Sequence, residues 1–284
     1  MDEATILRKC QQNLVALEAE IQLVLSAINN QIPVIIIGES GTGKTELVKT
    51  VAKVLERPFY RVDGDENLTI THLRGWFDPP LVMNSGFGEK SFISGPLVNA
   101  MKLGGLFFFN EVNRAPSESI NGVLAALDER QVGVPQFGQI KATEKFHAIF
   151  ALNPLEYIGT NPLPEAFFDR CVLIRLEHKS GEIAEQIVKL RTDCPNDELI
   201  SKAVRFTDQT RSSPYFEAGA SVRAAIQLTQ LLRDKEISLN TVVSAINAVY
   251  SGKVKLHPDI NKKVEECLFE IAEPIFSSYG TKKP

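Results

Sequence analysis

The chain has 284 residues, a length at which about two domains of ~150 residues are expected and a full apolar core can be buried. Its 31 Lys and Arg against 35 Asp and Glu give a formal charge of -4 and a pI near 5.7, the opposite of the basic excess of a duplex-binding domain, which disfavours nucleic acid as a partner. A hydrophobic content of 44% and a charged content of 23% exclude disordered and collagen-like chains, and apolar runs such as Val34–Ile37 and Leu106–Phe109 fall far short of the ~20 residues that cross a bilayer.

Taken in chain order, Leu7, Cys10, Leu14, Leu17, Ile21, Val24 and Ile28 recur in steps of three and four, which predicts one helix over about 3–30 with a single apolar stripe. Pro33-Val34-Ile35-Ile36-Ile37, closed by Gly38, has the β-branched run of a strand buried on both faces, and so implies a parallel sheet. A helix is expected from Thr45 to Leu55, a second strand at Phe59–Val62, and a third at Leu106–Phe109. Between Asp63 and Gly95 the prolines Pro79 and Pro80 and the glycines Gly86 and Gly88 read as an irregular insertion. A helix at Ser117–Asp128, a hairpin within Gln131–Lys145, and strands at Phe146–Leu152 and Cys171–Leu176 complete an alternating α/β pattern.

Beyond about Lys179 the pattern becomes purely helical: Glu182–Leu190, Asp197–Asp208, Ser221–Asp234, Ser238–Tyr250 and Lys262–Phe276, with no strand-like run among them. This shift predicts an α/β domain over 1–178 and an all-helical domain over 179–284. Cys10, Cys171, Cys194 and Cys267 are widely spaced, as are His72, His147, His178 and His257, so neither a disulfide framework nor a zinc site is expected. The start Met1-Asp2-Glu3 has no basic region before an apolar stretch, and a cytoplasmic location is the expectation.

Gly38-Glu39-Ser40-Gly41-Thr42-Gly43-Lys44-Thr45 fits G-x-x-x-x-G-K-[ST], between a strand and a helix as that motif requires. Glycines let successive N–H groups turn toward phosphates, and the helix N-terminus adds positive potential. Lys44 brings a mobile charge to the terminal phosphates, and Thr45 offers a hydroxyl to Mg²⁺. A neighbouring strand must supply acids, and Leu106-Phe107-Phe108-Phe109-Asn110-Glu111 fills that slot. The usual pair there is Asp-Glu. Asn110 keeps an acceptor oxygen for a metal-bound water but gives up the charge, while Glu111 is retained as the candidate general base.

With these motifs the chain resembles the AAA+ ATPases, and within them the MoxR family. Glu111-Val112-Asn113-Arg114-Ala115-Pro116 is similar to that family's E-[IV]-N-R-A-P segment, and Ser94-Gly95-Pro96-Leu97 to its G-P-[IL] segment. Asn153-Pro154, Glu156 and Gly159-Thr160-Asn161-Pro162-Leu163-Pro164-Glu165-Ala166-Phe167-Phe168-Asp169-Arg170 follow its N-P-x-E-x-x-G-T-x-P-L-P-E-A-x-x-D-R run. Gly219-Ala220-Ser221-Val222-Arg223-Ala224 resembles G-A-S-P-R-A, with Val222 in place of Pro.

The resemblance implies a P-loop core whose parallel sheet is sandwiched by helices, followed by a helical lid. It casts Asn153 as the polar group that senses the γ-phosphate, Arg170 as a finger reaching the nucleotide of an adjacent subunit, and Arg223 as the lid's contact to the nucleotide. Arg114 reads either as an interface residue or as a snorkelling side chain. The segments at about 64–95 and 131–146 match the clade's helix-2 insert and pre-sensor-1 hairpin. ATP and Mg²⁺ are the implied cofactors. A hexameric ring, and a protein client or a von Willebrand factor A domain protein, are the implied partners. Trp76, Phe77, Phe87 and Phe92 in an insert whose cations are Arg74 and Lys90 favour a protein client over a phosphate backbone. Two further readings remain: a nucleotide-gated assembly module that splits ATP slowly because of Asn110, and a nucleic-acid motor, which the charge balance opposes.

Overall fold

A computed structural model describes residues 2–154 and 163–280, and the chain divides into two compact units, Met1–Glu39 with Gly43–Leu176, and Ser40–Thr42 with Glu177–Pro284. In the first unit α1 (Glu3–Gln11) and α2 (Glu18–Asn29) precede β1 (Val34–Ile37), α3 (Lys44–Val54) and β2 (Phe59–Asp63). Then come α4 (Ile70–Arg74), β3 (Gly75–Phe77), α5 (Pro79–Ser85), β4 (Phe92–Ser94), α6 (Pro96–Leu103) and β5 (Leu106–Asn110). A 3₁₀ turn at Val112–Arg114 leads to α7 (Ser117–Asp128), the hairpin β6 (Gln131–Val134) and β7 (Gly138–Lys141), β8 (His147–Leu152), α8 (Glu165–Phe168) and β9 (Val172–Arg175).

Five strands form one sheet in the order β2-β5-β8-β1-β9, every pairing parallel. The pleat sends alternate residues to opposite faces. Ile35, Phe107, Phe109 and Phe150 enter a core shared with Leu73 of α4, Met101 of α6 and Val123 of α7. Ile36, Phe108 and Ile149 enter a second core with Cys10, Ile21 and Val24 of α1 and α2 and Leu47 and Val51 of α3. Helices therefore cover both faces, as the buried strand at Val34–Ile37 implies. Phe107, Phe108 and Phe109 are fully buried, and each contributes ~1.5–3 kcal/mol of apolar burial.

The single helix expected over 3–30 is two. Residues 12–17 break it, with Ala16 in the left-handed region at φ 51°. Leu14 and Leu17 are still buried in the same core, so the apolar stripe runs on across the turn and hides the break from periodicity. The insertion is ordered rather than irregular. Thr69 caps α4, β3 pairs antiparallel with β4, and Pro79 and Pro80 open α5 behind the Asp78 cap, where a missing N–H costs nothing.

The second unit holds α9 (Gly181–Thr192), α10 (Asp197–Ser212), β10 (Phe216–Ala218), α11 (Val222–Leu232), α12 (Leu239–Tyr250), β11 (Lys255–Leu256) and α13 (Val264–Phe276). Val188, Phe206, Leu228, Tyr250 and Phe276 share its core. The expectation of helices alone needs one correction: β10 and β11 form a small antiparallel pair, too short to show a period-2 pattern. Among the described residues, no helix is long and apolar enough to cross a membrane.

His147 opens β8 at 3% exposure, and its Nε2 has no hydrogen-bond partner among the described residues. Burial, and then the charges of Arg57 and Arg130, lower its pKa from the ordinary 6.5 to about 3. The unfolded chain takes up this proton near pH 6.5 and the folded chain does not, so stability present above that pH is lost as pH falls toward 3. Denaturant unfolding at pH 7 and pH 5 checks this: wild type is expected to lose more stability between the two than His147→Leu. Equal losses would exclude His147 as the cause.

Candidate functional site

The loop between β1 and α3 begins at Gly38, whose N–H donates to the Leu152 carbonyl at 3.2 Å, joining the ends of β1 and β8. The loop turns through left-handed glycines, Gly41 at φ 86° and Gly43 at φ 99°. A Cβ built on Gly43 would meet nothing within 4 Å, so the backbone is open to an approaching group there. Gly43 is the N-cap of α3, whose first N–H groups have no partner within the helix. Lys44 is only 9% exposed, and its ammonium donates to the carbonyls of Gly38 and, at 2.9 Å, Glu39. Thr45 follows in the first turn, half-buried. Open amides, a helix N-terminus and an ammonium held within the loop fit a polyphosphate.

The parallel register then sets what lies beside this loop. Ile37 pairs with Leu152, Phe109 with Phe150, and Asp63 with Asn110, so Gly38, Asn153, Asn110 and Asp63 emerge on the same carboxyl edge. Adjacent strands are ~4.8 Å apart, which places β5 about 10 Å from β1 with β8 between them. Asn153 and Asn110 are each 7% exposed. Edges of this kind are where open α/β sheets bind ligands.

Glu111 leaves β5 in the left-handed region, at φ 51° and ψ 42°, a costly conformation for a residue with a Cβ. Its side chain is 33% exposed, and the carboxylate accepts from Arg114 Nη1 at 2.8 Å. Two neighbours hold this corner in place. The Gly64 N–H donates to the Asn110 carbonyl at 2.7 Å, and a Cβ on Gly64 would lie 2.0 Å from the Glu111 carbonyl oxygen. Asn110 Nδ2 donates to Asp63 Oδ1 at 2.7 Å, and Arg61 clamps the same carboxylate, with Nε 3.0 Å from both oxygens and Nη2 2.6 Å from Oδ1. Partial burial alone would raise the Asp63 pKa. The hydrogen bonds from Arg61 and Asn110, with the Arg61 charge, outweigh it and hold the carboxyl below its usual range.

The other sequence-predicted residues lie apart from this edge or on the second unit. Arg170 follows α8, where its Nε lies 3.0 and 3.1 Å from the Asp128 oxygens and its Nη1 donates to the Ala166 carbonyl at 2.6 Å. Its partner is thus Asp128 on α7 and not the adjacent Asp169. The Arg170 side chain remains 40% exposed. Arg223 stands in the first turn of α11 on the second unit, exposed; burial and then the Arg223 charge hold the Lys253 ammonium below its usual range. Glu156 and Gly159-Thr160-Asn161-Pro162 lie outside the described residues.

Comparison with known proteins agrees with this geometry. Residues 33–171 match the model of the AAA domain, dynein-related subfamily. An uncharacterized protein of Staphylococcus saprophyticus is 32% identical over 200 residues, which span 68% of this chain and 75% of that protein. An uncharacterized protein of Staphylococcus aureus is 31% identical over 201 residues, spanning 69% and 76%. The chain belongs to the AAA+ ATPases. Among solved structures, a candidate ATPase from Cytophaga hutchinsonii shares the fold with a TM-score of 0.56 at 19% identity, covering 94% of this AAA+ chain and 92% of that one. A point mutant of Thermotoga maritima RuvB shares it with a TM-score of 0.55 at 14% identity over 83% and 71%.

Asp63, Arg61 and Gly64 are residues of this AAA+ chain's carboxyl edge that the sequence alone does not single out. Asp63 ends a strand like any turn-forming acid, and it gains meaning only once β2 is known to neighbour β5. Gly64 is not one of the left-handed glycines, and its demand is for space. Gly64→Ala must push the Glu111 backbone aside, and for the catalytic role proposed for Glu111 below, a displacement of ~1 Å can cost about 100-fold. ATP turnover is therefore expected to fall by about that factor in Gly64→Ala and to stay at the wild-type level in Gly252→Ala, where a Cβ meets open space. Equal turnover in the two variants would contradict this packing role.

Proposed function

We propose that this protein is a MoxR-type AAA+ ATPase that hydrolyses ATP at subunit interfaces and uses the resulting movements to remodel or assemble a partner protein. The observation that supports it most is the placement of the Gly38–Thr45 loop, Asn153, and Asn110 with Glu111 along one carboxyl edge of a parallel sheet.

In this reading the loop amides and Lys44 bind the phosphates, while Thr45 would hold Mg²⁺ through its hydroxyl and Asn110 would hold it through a metal-bound water that donates to the amide oxygen. When bound, that ion offsets charge on the phosphate oxygens. Glu111 accepts a proton from the attacking water as its oxygen bonds to the γ-phosphorus and the bond to the β-phosphate oxygen breaks. Asn153 orients the water or γ-phosphate. Arg170 from an adjacent subunit exchanges Asp128 for the developing phosphate charge, and Arg223 ties the helical lid to the nucleotide. A hexameric ring satisfies the need for a second subunit. The exposed apolar side chains of the insert, Trp76 at 45%, Phe87 at 57% and Met83 at 88%, favour a protein client, a von Willebrand factor A domain protein being the partner that the family resemblance suggests.

A second reading, a nucleotide-gated assembly module with little hydrolysis, is favoured by Asn110 and by the Glu111–Arg114 pair. Steady-state turnover separates the two. For an ATPase, Lys44→Ala and Glu111→Gln are each expected to lower turnover by about 100-fold or more. Unchanged turnover in Glu111→Gln, with ATP-dependent assembly lost only in Lys44→Ala, would favour the module.

A further inference from the structure

Asn110 stands where a carboxylate is expected, yet a carboxylate lies beside it. Asp63 and Asn110 are register partners at the ends of β2 and β5, and the amide Nδ2 is 2.7 Å from Asp63 Oδ1. We propose that the two residues act as one split acid. Asn110 presents the ligand oxygen toward the hydrated cation of the nucleotide, and Asp63, one strand away, supplies the negative charge behind it. This role for Asp63 rests on the nucleotide-site reading above.

The chemistry of the pair fixes its orientation. An ionised carboxylate only accepts hydrogen bonds, so the amide must face Asp63 with its NH₂ group. The carbonyl oxygen Oδ1 is thereby committed to the other side. Rotation of the amide would break a charge-assisted bond and bring two acceptors together, so the donor–acceptor sense is fixed. Arg61 holds the Asp63 carboxylate through both oxygens, and the Gly64 N–H pins the Asn110 backbone carbonyl at 2.7 Å. An amide that donates to a carboxylate is polarised, and its oxygen becomes a better acceptor. Charge therefore reaches the metal side without a charged ligand. Carboxylates placed behind metal-binding groups act in this way, orienting the ligand and raising its basicity.

The arrangement also explains why residue 110 is neutral. With Asp63 at hydrogen-bond distance, an aspartate at 110 would set two carboxylates against each other with no proton donor between them. The acid has moved one strand over, and a simple restoration at 110 creates a like-charge pair. Asp63 is a positioning residue, because it acts through Asn110.

Binding of the fluorescent analogue mant-ATP, titrated with Mg²⁺, tests this in wild type, Asp63→Asn, Asn110→Asp and the double variant. Without Mg²⁺, Asp63→Asn should bind at least as tightly as wild type and Asn110→Asp more weakly, because each changes the charge facing the bare triphosphate, and the Mg²⁺ dependence is read against each variant's own Mg²⁺-free affinity. Asp63→Asn should raise the Mg²⁺ concentration for half-maximal effect about 10-fold, the usual cost of losing a supporting carboxylate. Asn110→Asp alone should give no tighter dependence than wild type, whereas the double variant, which transposes acid and amide, should restore it. Thermal unfolding without ligand monitors folding, and the Mg²⁺ dependence is a readout that a merely structural role would not move. Wild-type Mg²⁺ dependence in Asp63→Asn, or a tighter one in Asn110→Asp alone, would overturn the split acid while leaving the nucleotide site standing. Wild-type protein that binds no mant-ATP would overturn the nucleotide site and this role with it.

Discussion

The parallel pairing of β5 with its neighbours is the constraint from which the candidate site follows. Phe107, Phe108 and Phe109 are buried on alternate faces, so a slip of one residue would send each ring into the wrong core. That penalty locks Asp63 opposite Asn110 and Phe109 opposite Phe150. Because every strand runs the same way, the phosphate-type loop, Asn153, Asn110 and Asp63 all leave the sheet at one edge. Hydrophobic burial thus sets the spacing of polar groups that are themselves too few to fix it.

Charge at this edge is organised locally and in opposition to the net charge of -4. Lys44 sits within the loop, Arg61 on Asp63 and Arg114 on Glu111. The two ion pairs are partly exposed and contribute little to stability on their own. Their value is positional. Arg61 keeps Asp63 aligned with Asn110, and Arg114 holds Glu111 at a corner that already carries a left-handed backbone. The tight approach of Gly64 to the Glu111 carbonyl adds a steric stop to the same corner.

Much of this fold is legible in the sequence, because strands buried on both faces must be continuous apolar runs and helices must repeat near 3.6. Val34–Ile37 and Leu106–Phe109 are read directly for that reason. Features that depend on tertiary neighbours are not. Ala16 breaks the first helix without disturbing its apolar stripe, and Pro79 and Pro80 look like a loop although they open α5. Motif spacing singles out Lys44, Asn110 and Glu111, and the family resemblance adds Asn153, since these follow strands along the chain. Asp63 is 47 residues from Asn110, and Arg170 is 42 from its partner Asp128; neither pairing can be seen before strand order and helix packing are known.

The parallel sheet brings to one edge two features that the sequence leaves separate, a phosphate-type loop and a substituted acid, and a cross-strand hydrogen bond sets a carboxylate directly behind that substituted position. The most direct measurement is a crystal structure of the protein with Mg²⁺ and a non-hydrolysable ATP analogue. The expected result has the triphosphate along Gly38–Thr45, the hydrated metal facing Asn110 Oδ1, and Asn110 Nδ2 still donating to Asp63. A nucleotide bound elsewhere, or an Asn110 amide turned away with Asp63 bonded directly to the metal, would contradict it.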